Sequence, residues 1–263
     1  MLLGVNIDHI AVLREARKIN DPSPLDALGI CKMNGAYQIT IHLREDRRHI
    51  NDEDAKNIIS LAQIPVNLEC SINENIINEV LKLKPFRATL VPEGRDEVTT
   101  EGGLALSKNY NKIKKSIEML KKSDIQTSLF IDPKEEEIKL AKSLGADAVE
   151  LHTGAYANIY AMAFLGLDKS RHSIKELEFS KSKLINCLKD EVKKLQNVSK
   201  FARLENLFLA AGHGLNYQNL EYILKIKEIQ ELNIGQSIIA RAVFIGLAQA
   251  IQDMKKLLDF RCD

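Results

Sequence analysis

The chain has 263 residues, of which 45% are apolar and 28% are charged, and its formal net charge is +1. This length and apolar content suffice for one large α/β domain. The near-neutral charge argues against nucleic acid or an anionic membrane surface as the main partner. The N-terminal residues run directly into a predicted strand without a basic segment or a long apolar run, so we expect neither export nor membrane insertion.

The cysteines are too scattered to suggest a disulfide framework or a zinc site. None of them forms a C-x-x-C pair, and this spacing is typical of reduced thiols in a cytoplasmic protein. The four residues are Cys31, Cys70, Cys187 and Cys262.

Strand-like and helix-like runs alternate along the whole chain. The predicted strands are residues 2–7, 36–42, 65–70, 87–91, 126–131, 146–151, 206–211 and 231–235. The predicted helices are residues 25–34, 53–62, 74–83, 108–122, 134–144, about 216–227 and 238–259. We expect Asn51 or Asp52 to cap the second of these helices and Ser237 to cap the last. The polar segment 92–103 is a candidate active-site loop.

Eight strands that alternate with helices, without a break in composition, predict a (β/α)8 TIM barrel of class α/β with extra helical segments. We expect residues 1–263 to form this single barrel domain. An open doubly wound sheet is the alternative, but no G-x-G-x-x-G sequence follows the first strand. The enlarged connection at about 155–203 is interpreted as an added helical excursion, although its apolar positions equally suit an ordinary barrel helix.

The end of the second predicted strand carries an unusual density of ionisable side chains. They are His42, Arg44, Glu45, Asp46, Arg47, Arg48 and His49. A helix N-terminus or a solvated turn explains one or two of these charges, but packing does not explain so many. Arginine presents a planar donor fork to phosphate, and histidine transfers protons near neutral pH. The segment therefore predicts a site for a phosphorylated substrate.

Histidines recur at the ends of other predicted strands. His9, His42, His49, His152 and His213 all lie at or just beyond such an end, whereas His172 lies elsewhere. In a barrel these ends meet over one mouth. Any single histidine is more often structural, but five on one face favour a function. They lack the spacings typical of paired metal ligands, so a metal site is unsupported.

Two anion sites can be predicted beside this mouth. The first comprises the loops 212–214 and 235–237, where barrels commonly hold phosphate on backbone N–H groups. The second is the turn 44–49, completed by Thr99 and Thr100. Two anion sites suggest two phosphorylated substrates and proton transfer between them. The acid–base candidates at the mouth are His42, Glu69 and His213, although Glu69 equally suits pairing with a neighbouring arginine.

Several motifs together resemble one known family. They are GVNIDHIAVLREAR (4–17), ITIHLREDRRHI (39–50), NLEC (67–70), LVPEGRDEVTTEGGL (90–104), SLFID (128–132), ELHTG (150–154), AGHGLN (211–216) and LNIG (232–235). They resemble the pyridoxine 5'-phosphate synthase family over nearly the whole chain. The resemblance implies a (β/α)8 barrel, usually a homo-octamer, without a metal or organic cofactor. It implies condensation of 1-deoxy-D-xylulose 5-phosphate with 3-amino-2-oxopropyl phosphate to pyridoxine 5'-phosphate, phosphate and water.

The resemblance also implies roles for individual residues. Glu150 would stabilise a transition state, and the implied acid–base residues are His42 and Glu69 as bases and His213 as acid. The implied deoxyxylulose phosphate site comprises Asp8, His9, Arg44, His49 and Thr99. The implied aminoketone phosphate site comprises Asn6, Arg17, Gly214, Gly235 and Gln236.

One position departs from the family pattern. Gln236 stands where the family has histidine. A backbone contact there tolerates the change, whereas an imidazole contact does not.

Two other functions compete with the synthase: a barrel isomerase acting on a small sugar phosphate, which needs one phosphate site, and a catalytically silent phosphometabolite-binding barrel. The silent barrel is disfavoured because all four implied catalytic residues are present.

Overall fold

A closed barrel of eight parallel strands, in the order β1 to β8, forms the centre of the computed structural model, which describes residues 1–93 and 102–259. The strands are β1 (Leu2–Asn6), β2 (Gln38–Leu43), β3 (Val66–Cys70), β4 (Arg87–Leu90), β5 (Gln126–Ile131), β6 (Ala148–His152), β7 (Phe208–Gly212) and β8 (Glu231–Ile234). The predicted (β/α)8 barrel is therefore confirmed.

Helices follow the strands around the outside of the barrel. They are α1 (Asp8–Arg17), α2 (Ala27–Met33), α3 (Asp52–Leu61), α4 (Glu74–Leu83), α5 (Tyr110–Lys122), α6 (Glu135–Leu144), α7 (Gly154–Phe164), α8 (Lys181–Leu204), α9 (Leu220–Leu224), α10 (Gln236–Ile245) and α11 (Leu247–Asp259). Within the described ranges, every helix is too short or too polar to span a lipid bilayer.

The strands are buried on both faces, as β2 shows. Its residues Ile39 and Ile41 belong to the apolar core under the helices. Gln38, from the other face, donates hydrogen bonds to Glu231 at 2.9 Å and to Asn233 at 3.1 Å. Because β1 separates β2 from β8 in the closed order, these bonds cross the interior. The inside of the barrel is therefore lined in part by hydrogen-bonded polar side chains.

A buried ion pair joins opposite sides of the barrel near its N-terminal end. Arg87 and Glu231 are the first residues of β4 and β8, and their side chains meet at 2.7 Å. Arg87 also donates to Gln126 at 2.7 Å, and its guanidinium lies 4.9 Å from the centroid of the Phe208 ring. Arg87 of β4 thus contacts side chains of β5, β7 and β8, so that one arginine connects four strands.

Most predicted helices are confirmed to within a few residues, and their caps explain why. Asn51 caps α3 in a capping box with Asp54, in which each side chain accepts a hydrogen bond from the backbone N–H of the other residue. Gly145 ends α6 in the left-handed conformation, with φ of 84°.

Three helices differ from the prediction. Helix α1 begins directly after β1, in a segment for which no helix was predicted. Helix α9 covers far less than the predicted 216–227. The predicted helix 238–259 is two helices, separated by Gly246 with φ of 81°. Ser237 does not cap it: the N-cap is Gly235, and the Ser237 hydroxyl donates to the carbonyl of Leu215 instead.

The enlarged connection contains α7 and the 24-residue helix α8. Short 3-10 turns at Leu167–Lys169 and Lys175–Leu177 lie between them. A small hydrophobic cluster, separate from the main core, holds the two helices together through Met162, Ala163 and Leu184. The enlarged connection is therefore helical, and Leu195, Val198 and Ala202 place the second half of α8 in the main core, as the alternative of an ordinary barrel helix requires.

Candidate active site

A cavity of about 450 Å³ opens at the C-terminal ends of the strands. Most of the predicted site residues line it, namely Asn6, Asp8, His9, His42, Arg44, His49, Glu69, Glu150, His213, Gly214, Gly235 and Gln236. These residues come from segments that span most of the chain. The closed barrel brings them together because parallel strands end at the same rim.

Among the described residues, one predicted site residue does not line the cavity. Arg17 is exposed at the end of α1 and is not among the described residues that line the cavity. Thr99, with the neighbouring Thr100, lies outside the described residues.

The turn 44–49 contributes less to the cavity than its charge suggests. Arg47 and Arg48 form ion pairs with Asp52 and Asp46 at 2.8 and 2.6 Å. The members of the turn that line the cavity are Arg44 and His49. The dense charge of this turn therefore serves the local fold as well as the site.

His42 and Glu69 lie side by side on neighbouring strands, as register partners of β2 and β3. The backbone N–H of His42 donates to Asp8 at 2.9 Å, and its Nε2 lies 3.4 Å from the Glu93 carboxylate. Burial acts to raise the pKa of Glu93, but the contact with His42 and a hydrogen bond from the N–H of Glu45 hold that pKa below its ordinary value. The imidazole and the carboxylates place acid–base groups at one edge of the cavity.

His49 has a defined tautomer when it is neutral. Its Nδ1 accepts a hydrogen bond of 2.8 Å from the backbone N–H of Ile50. The neutral ring must therefore carry its proton on Nε2, which makes that atom a donor. The backbone carbonyl of His49 accepts from Arg14 at 2.9 Å, which ties the turn to α1. His49 lines the cavity together with Arg44, and these two side chains suit an anionic substrate group.

Glu150 lies inside the cavity and is almost fully buried, with 3% of its surface exposed. Asn233 donates a hydrogen bond of 2.7 Å to its carboxyl group. Burial, together with the charge of Glu231, raises the pKa of Glu150 to about 7, against the opposing effects of Asn233 and Arg87. Near neutral pH this carboxyl group is therefore poised between its two protonation states.

His213 projects from a strained backbone at the end of β7. Its φ is 78°, an uncommon value for a residue other than glycine. The Thr153 hydroxyl lies 2.7 Å from the carbonyl oxygens of both Gly212 and His213, which holds the turn in place. The ring of His152 packs edge-on against that of His213, with centroids 4.9 Å apart.

Asp132 anchors this histidine pair from β5 and its following loop. Its carboxylate lies 3.6 Å from Nδ1 of His152 and accepts a hydrogen bond of 2.8 Å from the backbone N–H of Gly103. The contact with His152 holds the pKa of Asp132 well below its ordinary value, although burial opposes the shift. Asp132 thus places a negative charge next to His152, whose ring contacts that of His213.

The part of the rim next to β7 is formed by α10 and the loop before it, which follow β8. Gly235 is the N-cap of α10, so the first backbone N–H groups of this helix lie beside the cavity. A side chain at position 235 would bring its Cβ within 2.8 Å of the Asn6 Cβ, so glycine is required there. A helix N-terminus with close backbone approach is a favourable site for phosphate.

Sequence reasoning missed several residues that line the cavity or support it. Asn233 lies within the cavity, Phe130 lies against both His152 and His213, and Glu93 contacts His42. Glu93 lies in the segment predicted to be an active-site loop. The motif LNIG, which includes Asn233, marked that strand end, but neither pattern assigned a role to these side chains.

Comparisons with known proteins agree with this geometry. The chain matches the family model described as pyridoxal phosphate biosynthesis protein PdxJ over residues 3–260. The pyridoxine 5'-phosphate synthase of Aliarcobacter butzleri is 65% identical over 258 residues, which cover 98% of this chain and 99% of that protein. The pyridoxine 5'-phosphate synthase of Sulfurovum sp. is 57% identical over 258 residues, which cover 98% of this chain and 100% of that protein.

A solved structure shows the same barrel at low sequence identity. Thiamine phosphate pyrophosphorylase from Pyrococcus furiosus matches with a TM-score of 0.59 and 11% identity, covering 100% of this chain and 97% of that one. This likeness concerns the fold alone. The family match and the closely related sequences confirm the resemblance that the motifs indicate, and the chain belongs to the pyridoxal phosphate biosynthesis protein PdxJ family.

Proposed function

We propose that this chain is a pyridoxine 5'-phosphate synthase, which condenses 1-deoxy-D-xylulose 5-phosphate with 3-amino-2-oxopropyl phosphate. The observation that carries the proposal is the composition of the cavity. His42, Glu69 and His213 line the same space as an arginine–histidine turn and the N-terminus of α10. Acid–base groups between two anion-binding elements suit a reaction that joins two phosphorylated molecules.

The two substrates are assigned to different sets of residues, which meet where Asn6 donates to Asp8 at 2.9 Å. The deoxyxylulose phosphate site comprises Asp8, His9, Arg44, His49 and Thr99. The aminoketone phosphate site comprises Asn6, Gly214, Gly235 and Gln236 at the cavity, together with Arg17 at the exposed end of α1. Support for the second site comes from Gly235, the N-cap of α10, which approaches Asn6 so closely that a Cβ would lie 2.8 Å from the Asn6 Cβ. A backbone contact with phosphate would also tolerate glutamine at position 236.

The chemistry requires proton transfers at carbon and oxygen. The amine of one substrate adds to the ketone of the other, and loss of water gives an imine, so no lysine nucleophile is needed. His42 and Glu69 then act as bases that remove protons from carbon, and phosphate and water leave as the ring forms. His213 donates a proton near the step of ring closure.

Glu150 has a separate role in this proposal. Its position in the cavity and its pKa of about 7 suit a group that stabilises charge as it develops in a transition state. Burial strengthens such an interaction because little water is present to screen it.

A cytoplasmic location and a homo-octameric assembly are part of the same proposal. The cysteines of the described residues are free thiols, which supports a reducing compartment. Exposed apolar side chains on α10 support assembly with further copies of the chain.

An assay without added metal or cofactor tests the proposal. The purified chain is mixed with both substrates, the aminoketone phosphate being generated in situ, and pyridoxine 5'-phosphate and inorganic phosphate are measured in parallel. We expect both products in equal amounts. Phosphate without pyridoxine 5'-phosphate would show that the ring does not close, and absence of both products would overturn the assignment.

Variants of the acid–base residues give the second test. Glu69→Gln and His213→Ala should each lower kcat roughly 10²–10⁴-fold, as expected for loss of a positioned acid or base. His172→Ala is the control, because His172 is an exposed histidine in the enlarged connection. Turnover within a few-fold of the parent in either cavity variant would contradict the assigned roles.

A further inference from the structure

A directional chain of hydrogen bonds runs through the barrel interior to Glu150. It begins at Arg87, whose guanidinium can only donate, and Glu231 accepts from it at 2.7 Å. The Glu231 carboxyl group also accepts from Nε2 of Gln38 at 2.9 Å, which fixes the orientation of the Gln38 amide.

The same Gln38 amide then determines how Asn233 is oriented. Nε2 of Gln38 donates at 3.1 Å to Oδ1 of Asn233, and the Thr40 hydroxyl donates to this oxygen at 3.3 Å. Because Oδ1 is occupied as an acceptor, Nδ2 must be the atom that faces Glu150, and it donates to Oε2 at 2.7 Å. Nδ2 also lies 3.3 Å from Oε1 of Glu231, so the amide bridges the two buried carboxyl groups.

Glycines on β1 and β7, the two strands that flank β8, leave space for the side chains of Asn233 and Glu150. A Cβ at Gly4 would lie 1.9 Å from Oδ1 of Asn233, and a Cβ at Gly212 would lie 2.2 Å from Oε1 of Glu150. Even alanine would therefore displace the amide or the carboxyl group. The backbone of β1 and β7 is thus adapted to hold both side chains in one position.

We propose that Asn233 is a positioning residue. The hydrogen-bond chain from Arg87 and Gln38 holds it as a donor to Glu150, and this hydrogen bond fixes the orientation of the Glu150 carboxyl group towards the substrate. The proposal rests on the proposed function, because Glu150 acts in that reaction. It assigns the polar barrel interior a role in the chemistry, in addition to its role in packing.

Within the part of the chain that the structure describes, the charges that act most on Glu150 are those of Glu231 from β8 and Arg87 from β4. The ionisable side chains of His42 from β2, Glu69 from β3 and His213 after β7 line the same cavity. Its register partners on the adjacent strands, Phe130 and Ala210, are uncharged. The hydrogen bond from Asn233 lowers the pKa of Glu150, whereas Glu231 raises it. Loss of the amide donor should therefore move the titration of Glu150 to higher pH, and a carboxylate in its place should move it further.

The test compares Asn233→Ala and Asn233→Asp with Asn67→Ala. Asn67 is a matched control, because it is a fully buried interior amide that accepts from the Thr89 hydroxyl at 2.8 Å. Misplacement of a group in the cavity should lower kcat about 10²-fold, with KM changed far less. We expect this loss of kcat in both Asn233 variants and not in Asn67→Ala. In the Asn233 variants the limb of the pH–rate profile that reports the titration of Glu150 should also move to higher pH.

A merely structural role would lower the rate equally at every pH. An unchanged profile in a folded Asn233→Ala variant, or the same displacement in Asn67→Ala, would overturn the inference. Infrared difference titration of the protonated carboxyl band, assigned by its loss in Glu150→Gln, follows the same pKa without turnover. Absence of product from the parent protein would therefore refute the proposed function, while the infrared shift in Asn233→Ala would still decide whether Asn233 controls Glu150.

Discussion

The carboxyl group of Glu150 titrates at higher pH in the folded chain than in the unfolded one. Its folded pKa is raised to about 7, mainly by burial, whereas an unfolded glutamate titrates near ~4.3. Between these values the folded state binds more protons, so this group lowers the free energy of unfolding as pH rises. Glu150→Gln should therefore stabilise the protein more at pH 8 than at pH 5. The effect of the substitution on the free energy of unfolding should differ by about 1–3 kcal/mol between the two pH values. Urea unfolding at the two pH values measures this difference.

Glu136→Gln is the control for this experiment, because it removes a carboxylate from an exposed position on α6. It should not reproduce the pH-dependent gain. Equal changes in the two variants would show that net charge, and not burial of Glu150, determines the effect.

The residues at strand ends could be predicted from the sequence, whereas those inside the barrel could not. His42 stands out because it belongs to a dense group of ionisable side chains that packing does not explain, and Glu69 lies at the end of the next predicted strand. Asn233 lies in a short strand, ELNI, and its partner Glu150 is 83 residues away in the chain. Only closure of the barrel brings the two together. The sequence feature that could have indicated a polar barrel interior is β2, in which Gln38 alternates with apolar core residues.

Whole helices were predictable where a local cap marks their ends. Asn51 and Gly145 marked α3 and α6 in this way. Helix α1 was missed because its N-cap, Ile7, offers no side-chain hydrogen bond. Helix α9 was predicted too long because the Asn216 side chain accepts from the backbone N–H groups of Gln218 and Asn219 and stabilises a turn before the helix.

A buried ion pair connects α1 to α3. Arg14 donates to both carboxylate oxygens of Asp54, at 2.8 and 2.7 Å, and both side chains are about nine-tenths buried. Arg14→Met leaves the Asp54 charge buried without its partner, so it should lower the free energy of unfolding by roughly 3–5 kcal/mol. Urea unfolding at pH 7 measures the loss.

A second ion pair, which joins the turn 44–49 to α3, provides the comparison. Arg47 pairs with Asp52 at 2.8 Å, but the Asp52 side chain is 63% exposed. Arg47→Met should therefore cost no more than about 1 kcal/mol. If the two substitutions cost the same, burial would not be the property that distinguishes the pairs.

At the scale of the whole molecule, α10 carries an apolar surface that one chain leaves uncovered. Val243 is 66% exposed and Phe244 is 87% exposed, and Ile245 extends the run. Under the proposed assembly, Phe244→Lys should dissociate the octamer into smaller species, as measured by analytical ultracentrifugation, without loss of helical circular dichroism. Leu204→Lys is the control, because Leu204 is also exposed but lies at the end of α8. An unchanged mass for Phe244→Lys would place this surface outside the interface.

The ion pair between Arg87 and Glu231 joins β4 to β8 across the interior of the closed barrel. Both side chains are almost completely buried, at 3% and 0% exposure. Arg87→Met would leave the Glu231 charge in the barrel without its cation, so we expect a loss of about 3–5 kcal/mol in urea unfolding at pH 7. Adding Glu231→Gln removes that charge and should restore part of the stability, because neutral amides are less costly to bury. A double variant no more stable than Arg87→Met would show instead that the loss comes from the packing of the arginine against Phe208 and Gln126.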